Sequence, residues 1–406
     1  MTQAARALAT SRALGRVMAE DRGRLLAALM ARLGDFDCAE EALAEALASA
    51  AQHWARQGPP DSPMGWLLKV GLRKAIDRIR KEGREAQKAR DLAPLLSEEA
   101  ALPPEIPDER LRLIFTCCHP ALDRKSQVAL TLRSIAGLTT GQIAAAFLDQ
   151  EPTMGQRLSR AKARLVQSGA GFVVPGPEDW AARLGAVLDV IYLIFNQGYG
   201  QGPHLGRDLC EEALFLGRLL LRLCPDQAEA EGVLALMALT HARRAARIGP
   251  DGALVPPAEQ ARALWDAALL AEAQDLLQAA LPRRSPGPFQ IKAALAACIM
   301  APEGPDWRQS LALYDALLRF EPSPVVHLNR AVVLMELGLL EASGAVLAAV
   351  ADVLGDYQPL HAVRAELLSR KQLWTESRAA YAAAIARAPS AADALFLRKR
   401  LAALPH

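Results

Sequence analysis

Two groups of side chains have the types and spacing for phosphate and base chemistry. Between residues 66 and 90, nine basic side chains stand against three acidic ones, a local positive field suited to phosphate. Apolar Leu68, Leu72, Ala75 or Ile76, and Ile79 recur at helical spacing there. A helix from Met64 to about Arg84 buries that stripe and leaves Lys69, Arg73 and Arg80 on one flank and Lys74, Arg78 and Lys81 on the other. Trp66, at its start, either stacks on an unpaired base or caps the core. In the second group, Met154, Leu158, Ala161 and Leu165 face inward while Thr153, Gln156, Arg157, Arg160 and Arg164 project outward. Arg bonds guanine bidentately, Gln bonds adenine, and Thr at a helix start meets a phosphate or a thymine methyl. Arg157, Arg160 and Gln156 are the candidates for base edges.

The elements that must position these groups are legible from caps and breaks. A helix from Asp123 runs through Ala136 to a break at Gly137, and Thr139 is placed to cap a short helix over Thr140 to Phe147. After a turn at Leu148 to Glu151, Pro152 fits the first position of the outward-facing arginine helix. This is helix-turn-helix grammar with the recognition helix second. A further helix, Asp35 to Trp54, carries an apolar stripe of Phe36, Ala39, Leu43, Ala46 or Leu47, Ala50 and Trp54. Beside it runs an acidic stripe of Asp37, Glu41 and Glu45 without basic neighbours in sequence. Like charges one turn apart cost a few tenths of a kcal/mol each. The stripe is therefore either a plain solvated face or one kept for a basic partner.

Composition bounds the rest. A chain of 406 residues calls for two to four domains. The three-to-four residue periodicity, rich in Ala and Leu, predicts an all-α fold throughout. The formal net charge of +2 hides an N-terminal excess of basic residues. Breaks fall at Gly58 to Pro63, at a proline-rich tether from Leu92 to Asp108, and at Gly169 to Pro177. The six cysteines have no framework spacing and no CxxC, so neither a disulfide scaffold nor a zinc module is expected. Cys117-Cys118-His119 lacks a fourth ligand at useful spacing and reads as structural, and no metal or cofactor is expected. No apolar run is long enough for a membrane helix, and Arg6, Arg12 and Arg16 interrupt the N-terminal alanines, so a cytoplasmic chain without a membrane partner is expected. No nucleophile, base and orienter set is visible, so no enzymatic activity is expected. Beyond residue 300 a 34-residue echo pairs Ala331 with Ala365, Ser343 with Ser377 and Leu347 with Tyr381, with Pro389 in closing position, as in stacked helical hairpins.

Three stretches, Asp35-Phe-Asp-Cys-Ala-Glu-Glu-Ala-Leu, Pro63-Met-Gly-Trp-Leu-Leu and Ala75-Ile-Asp-Arg-Ile-Arg80, resemble region 2 of extracytoplasmic-function (ECF) RNA polymerase sigma factors. Leu111 to Pro120, Leu138-Thr-Thr-Gly-Gln-Ile143 and Pro152 to Lys162 resemble region 4 of a subgroup with a long C-terminal extension of tetratricopeptide-like repeats. Tyr192 to Tyr199, Ala242 to Arg247 and Pro324 to Ala331 extend the likeness over nearly the whole chain. The resemblance implies region 2 over 1–90, a linker over 91–108, region 4 over 109–170, a helical extension over 178–300 and repeats over 301–406. It implies that the acidic helix around Asp35, Asp37, Glu40 and Glu41 docks on core RNA polymerase. It further implies that Trp66, Lys69, Arg73, Lys74 and Arg78 engage and open the −10 element of promoter DNA, and that the recognition helix reads the −35 element. The extension would regulate or support these modules, through a regulatory protein or a ligand. Leu72-Arg73 departs from the Arg-Asn pair usual in such factors. The rival readings are a helix-turn-helix regulator with a ligand-sensing C-terminal domain, which leaves the first 85 residues unexplained, and a helical adaptor acting through its repeats.

Overall fold

The structure, a computed structural model, describes residues 3–82, 108–147, 149–201, 208–301 and 303–405. The tether expected over 91–108 lies outside them apart from Asp108, as do Arg84, Lys88, Arg90 and Leu148. The all-α expectation holds: the one strand-like pairing among the described residues is a single bridge between Ile248 and Leu254. The chain divides into two compact units, Met1–Pro225 and Asp226–His406.

The first unit opens with α1 (Gln3–Arg16), a π turn at Val17–Asp21 and α2 (Arg22–Leu33). Gly34 closes α2 with a φ of 69°, a conformation that favours glycine, and Asp35 at once caps α3 (Phe36–Gln57). α3 buries Phe36, Ala39, Ala42, Leu43, Ala46, Ala50 and Trp54, so Ala46 and not Leu47 completes its stripe. It packs on α4 (Pro63–Glu82), where a Cβ at Gly71 would stand 3.3 Å from the Ala42 carbonyl oxygen. Leu67, Leu68, Leu72, Ala75 and Ile76 of α4 are buried. Each large apolar side chain so removed from water contributes roughly 1.5–3 kcal/mol before entropy is counted.

The same unit continues with α5 (Arg110–Cys117), α6 (Arg124–Ser134), α7 (Thr140–Ala146) and α8 (Glu151–Gln167). It ends with α9 (Pro177–Gln201) and α10 (Leu209–Leu223). The latter two, expected to open the extension, pack within the first unit. Arg124 pairs with Asp189 at 2.5 Å, Arg183 donates to the Phe115 carbonyl at 2.7 Å, and the Trp180 ring lies 5.4 Å from that of Phe115.

In the second unit α11 (Ala228–Ala242) is buried on nearly all sides, which explains its apolar composition without a one-sided stripe. It packs against α12 (Ala267–Ala280) and α13 (Pro288–Ile299). The Glu229 carboxylate accepts from the backbone N–H groups of Phe289 and Gln290 at 2.9 and 3.0 Å, satisfying orphan donors at the N-terminus of α13. After α14 (Trp307–Leu317) come two helical hairpins, α15 (Pro324–Glu336) with α16 (Leu340–Val350), and α17 (Gln358–Arg370) with α18 (Trp374–Ala386). α19 (Ala391–Ala402) closes the stack. In each hairpin a buried serine hydroxyl donates to a carbonyl of the preceding helix at 2.8 Å, Ser343 to Ala331 and Ser377 to Ala365. The 34-residue echo is thus one hydrogen bond made twice.

Candidate nucleic-acid interface

The burial pattern of α4 determines which of its cations reach solvent. Lys69, Arg73 and Lys74 are exposed, with no ion-pair partner among the described residues, and Arg80 and Lys81 are exposed beyond them. Arg78 behaves differently. Its guanidinium pairs with Glu41 at 2.5 Å and Glu45 at 3.4 Å and donates to the Cys38 carbonyl at 3.3 Å. Burial works against its charge, but the contacts to Cys38, Glu41 and Glu45 outweigh it and hold the pKa above the ordinary arginine value.

Trp66 packs partly against the core and partly against an exposed ring. It is half-buried, edge-on to the fully buried Trp54 at 5.5 Å, and stacked on the exposed ring of His53 at 5.6 Å. A cavity of about 360 Å³ is lined by Arg16, Val17 and Asp21 and by the stretch Asp61, Ser62, Pro63 and Met64 at the start of α4. One helix, α4, thus carries an aromatic side chain in its first turn and exposed cations further along, the residue types that single-stranded nucleic acid binding uses.

The second group lies on α8, the last of three short-linked helices with defined caps and breaks. Asp123 caps α6 through Ser126, and Gly137 turns the chain at a φ of 75°. Thr139 and Gln142 form a reciprocal capping box on α7, and Pro152 lies in the first turn of α8. Met154, Leu158, Ala161 and Leu165 are buried, leaving Thr153, Gln156, Arg160 and Arg164 exposed along one helix. Arg157 is half-buried, 3.8 Å from an Asp123 carboxylate oxygen, so it is less free than Arg160.

The acidic residues of α3 do not form one free patch. Asp35 is the N-cap, accepting from the Cys38 N–H at 2.7 Å. Glu41 holds Arg78. Asp37 and Glu40 meet Lys162 of α8, whose Nζ lies 2.5 Å from Asp37 and 3.0 Å from Glu40, while Arg133 of α6 stands 3.7 Å from Glu40. Burial opposes the Lys162 charge, and the hydrogen bonds to Asp37 and Glu40 more than offset it, raising its pKa. Lys162 was not among the residues singled out in the sequence. The only signal for it was the acidic stripe's lack of basic neighbours.

Cys117 and Cys118 are buried, and burial pushes the Cys118 thiol up to about 12. Among the described residues no group of three metal-type ligands is found, and no helix is long and apolar enough to cross a membrane.

Known proteins give this arrangement a lineage. Residues 18–85, which hold α2, α3 and α4, match the sigma-70 region 2 family, and residues 183–281 match a family of unknown function (DUF6596). A protein of Rhizobium meliloti (strain 1021), described only as uncharacterized, is 41% identical over 393 residues, which is 94% of this chain and 93% of its own length. The chain belongs to this family of sigma-factor-like proteins. Its N-terminal module is accordingly a sigma-70 region 2, the part of a sigma factor that engages core RNA polymerase. The repeated Ser343 and Ser377 bonds lie beyond both matched segments.

Proposed function

We infer that the chain is an RNA polymerase sigma factor of the ECF type, with no bond-making chemistry of its own. In this reading region 2 engages core polymerase through the acidic face of α3. Trp66 and the loop before α4 take up an unstacked base of the −10 element, while Lys69, Arg73 and Lys74 hold the strand's phosphates. The helix-turn-helix reads the −35 element, with Arg160, Gln156 and Thr153 toward base edges and Arg164 toward phosphate. The extension, with its tetratricopeptide-like hairpins, regulates these modules through a partner or ligand.

The observation that carries the reading is the coexistence of two solvent-facing basic surfaces on one chain. One is on the helix matched by sigma-70 region 2. The other is on the second helix of a helix-turn-helix. A regulator that binds duplex DNA alone needs only the second.

The test is reconstitution. Purified full-length chain added to bacterial core polymerase is expected to direct initiation from a cognate upstream region. Binding of duplex DNA without core, and no initiation with it, would overturn the reading in favour of a helix-turn-helix regulator.

A further inference from the structure

The acidic face of α3 is occupied by the module that follows it. Lys162 reaches it from α8, more than a hundred residues later in the chain, and bridges Asp37 and Glu40. The Lys162 and Glu40 side chains keep only 15% and 17% of their surface exposed, so this pair is largely removed from water. Arg133 adds a second cation beside Glu40.

The surrounding contacts join α2, which precedes α3, to the end of α6, which precedes α8. The buried Arg22 guanidinium of α2 donates to the Arg133 carbonyl at 2.8 Å and the Ser134 carbonyl at 3.5 Å, serving carbonyls left over at the end of α6. Backbone also approaches backbone here: a Cβ on Gly23 would lie 2.9 Å from the Ile135 carbonyl oxygen. Meanwhile Glu41 and Glu45 are engaged by Arg78. Asp37, Glu40, Glu41 and Glu45 are thus all in contact with cations of this chain.

We propose that this arrangement is a closed form in which Lys162 and Arg133 of the helix-turn-helix module occupy the face by which α3 docks on core polymerase, so that closure and docking exclude each other. The inference rests on the reading of α3 as the docking face. Its physical basis is that Lys162 and Arg133 face the two carboxylate oxygens of Glu40, whose side chain keeps only 17% of its surface exposed and so leaves no room for a cation of a second protein. A basic partner surface must displace Lys162, and the free energy of the closed contacts is subtracted from the docking affinity. Helices that separate in this way also release α8 to address DNA at a distance from α4.

The experiment compares full-length wild type with Lys162→Ala and Lys162→Glu, neither of which replaces a docking carboxylate or a DNA-facing side chain. Two readouts are taken: the distance between fluorophores placed at Gln52 of α3 and Gln167 of α8, and the affinity for core polymerase. Thermal melts show that each variant is folded. Both variants are expected to lengthen the distance and to bind core about five- to tenfold more tightly, because the competent fraction of the chain rises. No change in distance for folded Lys162→Glu would overturn the closed form. A lengthened distance with unchanged core affinity, where wild type binds core, would overturn the exclusion while leaving the docking reading intact. Failure of wild type and opened variants alike to bind core would overturn the docking reading, and this inference with it.

Discussion

Replacing Lys69, Arg73 and Lys74 together by alanine is expected to flatten the salt dependence of promoter engagement while leaving α4 folded. The three side chains are exposed, whereas the helix is held by the buried Leu67, Leu68, Leu72, Ala75 and Ile76, so the loss of stability should stay within about 0.5 kcal/mol per site. Each phosphate neutralised on a single strand contributes about 0.7 to the slope of log affinity against log salt, so losing three lowers the slope by about 2. Over a fourfold rise in salt the parent should weaken about sixteen- to twentyfold more than the variant. Arg78→Ala provides the internal contrast. That guanidinium already faces Glu41 and Glu45, so its removal releases few counterions from DNA and the slope should barely move. The assay is fluorescence anisotropy of the holoenzyme on promoter DNA with an unpaired −10 segment, titrated at several salt concentrations. A triple variant that keeps the parental slope, or an Arg78→Ala effect as large as that of a free cation, would refute the assignment of phosphate contacts from exposure and pairing.

Arg160→Ala is expected to cost about 1–3 kcal/mol of promoter discrimination, as for a lost base contact, with core affinity unchanged. Equal occupancy of matched and mismatched −35 sequences by parent and variant would count against it. Ser343→Ala and Ser377→Ala should each destabilise the hairpins by about 1 kcal/mol, and by similar amounts, since each removes the same buried 2.8 Å bond. Urea unfolding midpoints of the two variants provide the comparison. Gly232→Ala should be costlier, because its Cβ would meet the Gln290 backbone nitrogen at 2.6 Å; loss of roughly 1–3 kcal/mol is expected, and a melting temperature equal to the parent's would contradict the close packing of α11 on α13. Burial raises the Cys118 thiol from 9.0 to about 12, so the unfolded chain releases this proton first. The stability it contributes is whole below the unfolded value and should fall as pH rises from there toward 12, with alkylation confined to the unfolded chain at lower pH. Rapid native-state alkylation at mildly alkaline pH would argue against that burial.

What the sequence disclosed was local. The four inward residues of α8 follow from a helical period, the α7 cap from Thr139 and Gln142, and the hairpins from a 34-residue recurrence; each signal lies within a few turns or one repeat. The misses share another cause. Leu67 lies outside the stripe of Leu68, Leu72, Ala75 or Ile76 and Ile79 and is fully buried, because α4 is enclosed more widely than one stripe. α9 joined the first unit through Arg124, Arg183 and Trp180, contacts that span some sixty residues, and α10 packs on α9. Asp35, grouped with the docking acids by resemblance, has a local duty at the start of α3.

The decisive case is the pair Lys74 and Arg78. They stand one turn apart on the same flank of α4, and residue type and spacing assign both to phosphate. What separates them is the course of α3, which brings Glu41 and Glu45 to Arg78 and leaves Lys74 in solvent. The same reasoning distinguishes Arg160, which is exposed, from Lys162, which Asp37 and Glu40 claim. A count of basic residues thus overstates the charge available to DNA, because some cations are already neutralised by carboxylates that arrive from elsewhere in the fold. Because an exposed ion pair is worth little and a dehydrated one resists separation, Lys162 with Glu40 is the contact whose breaking should be felt most, and Lys69, Arg73 and Lys74 are the charges left free for a nucleic-acid strand.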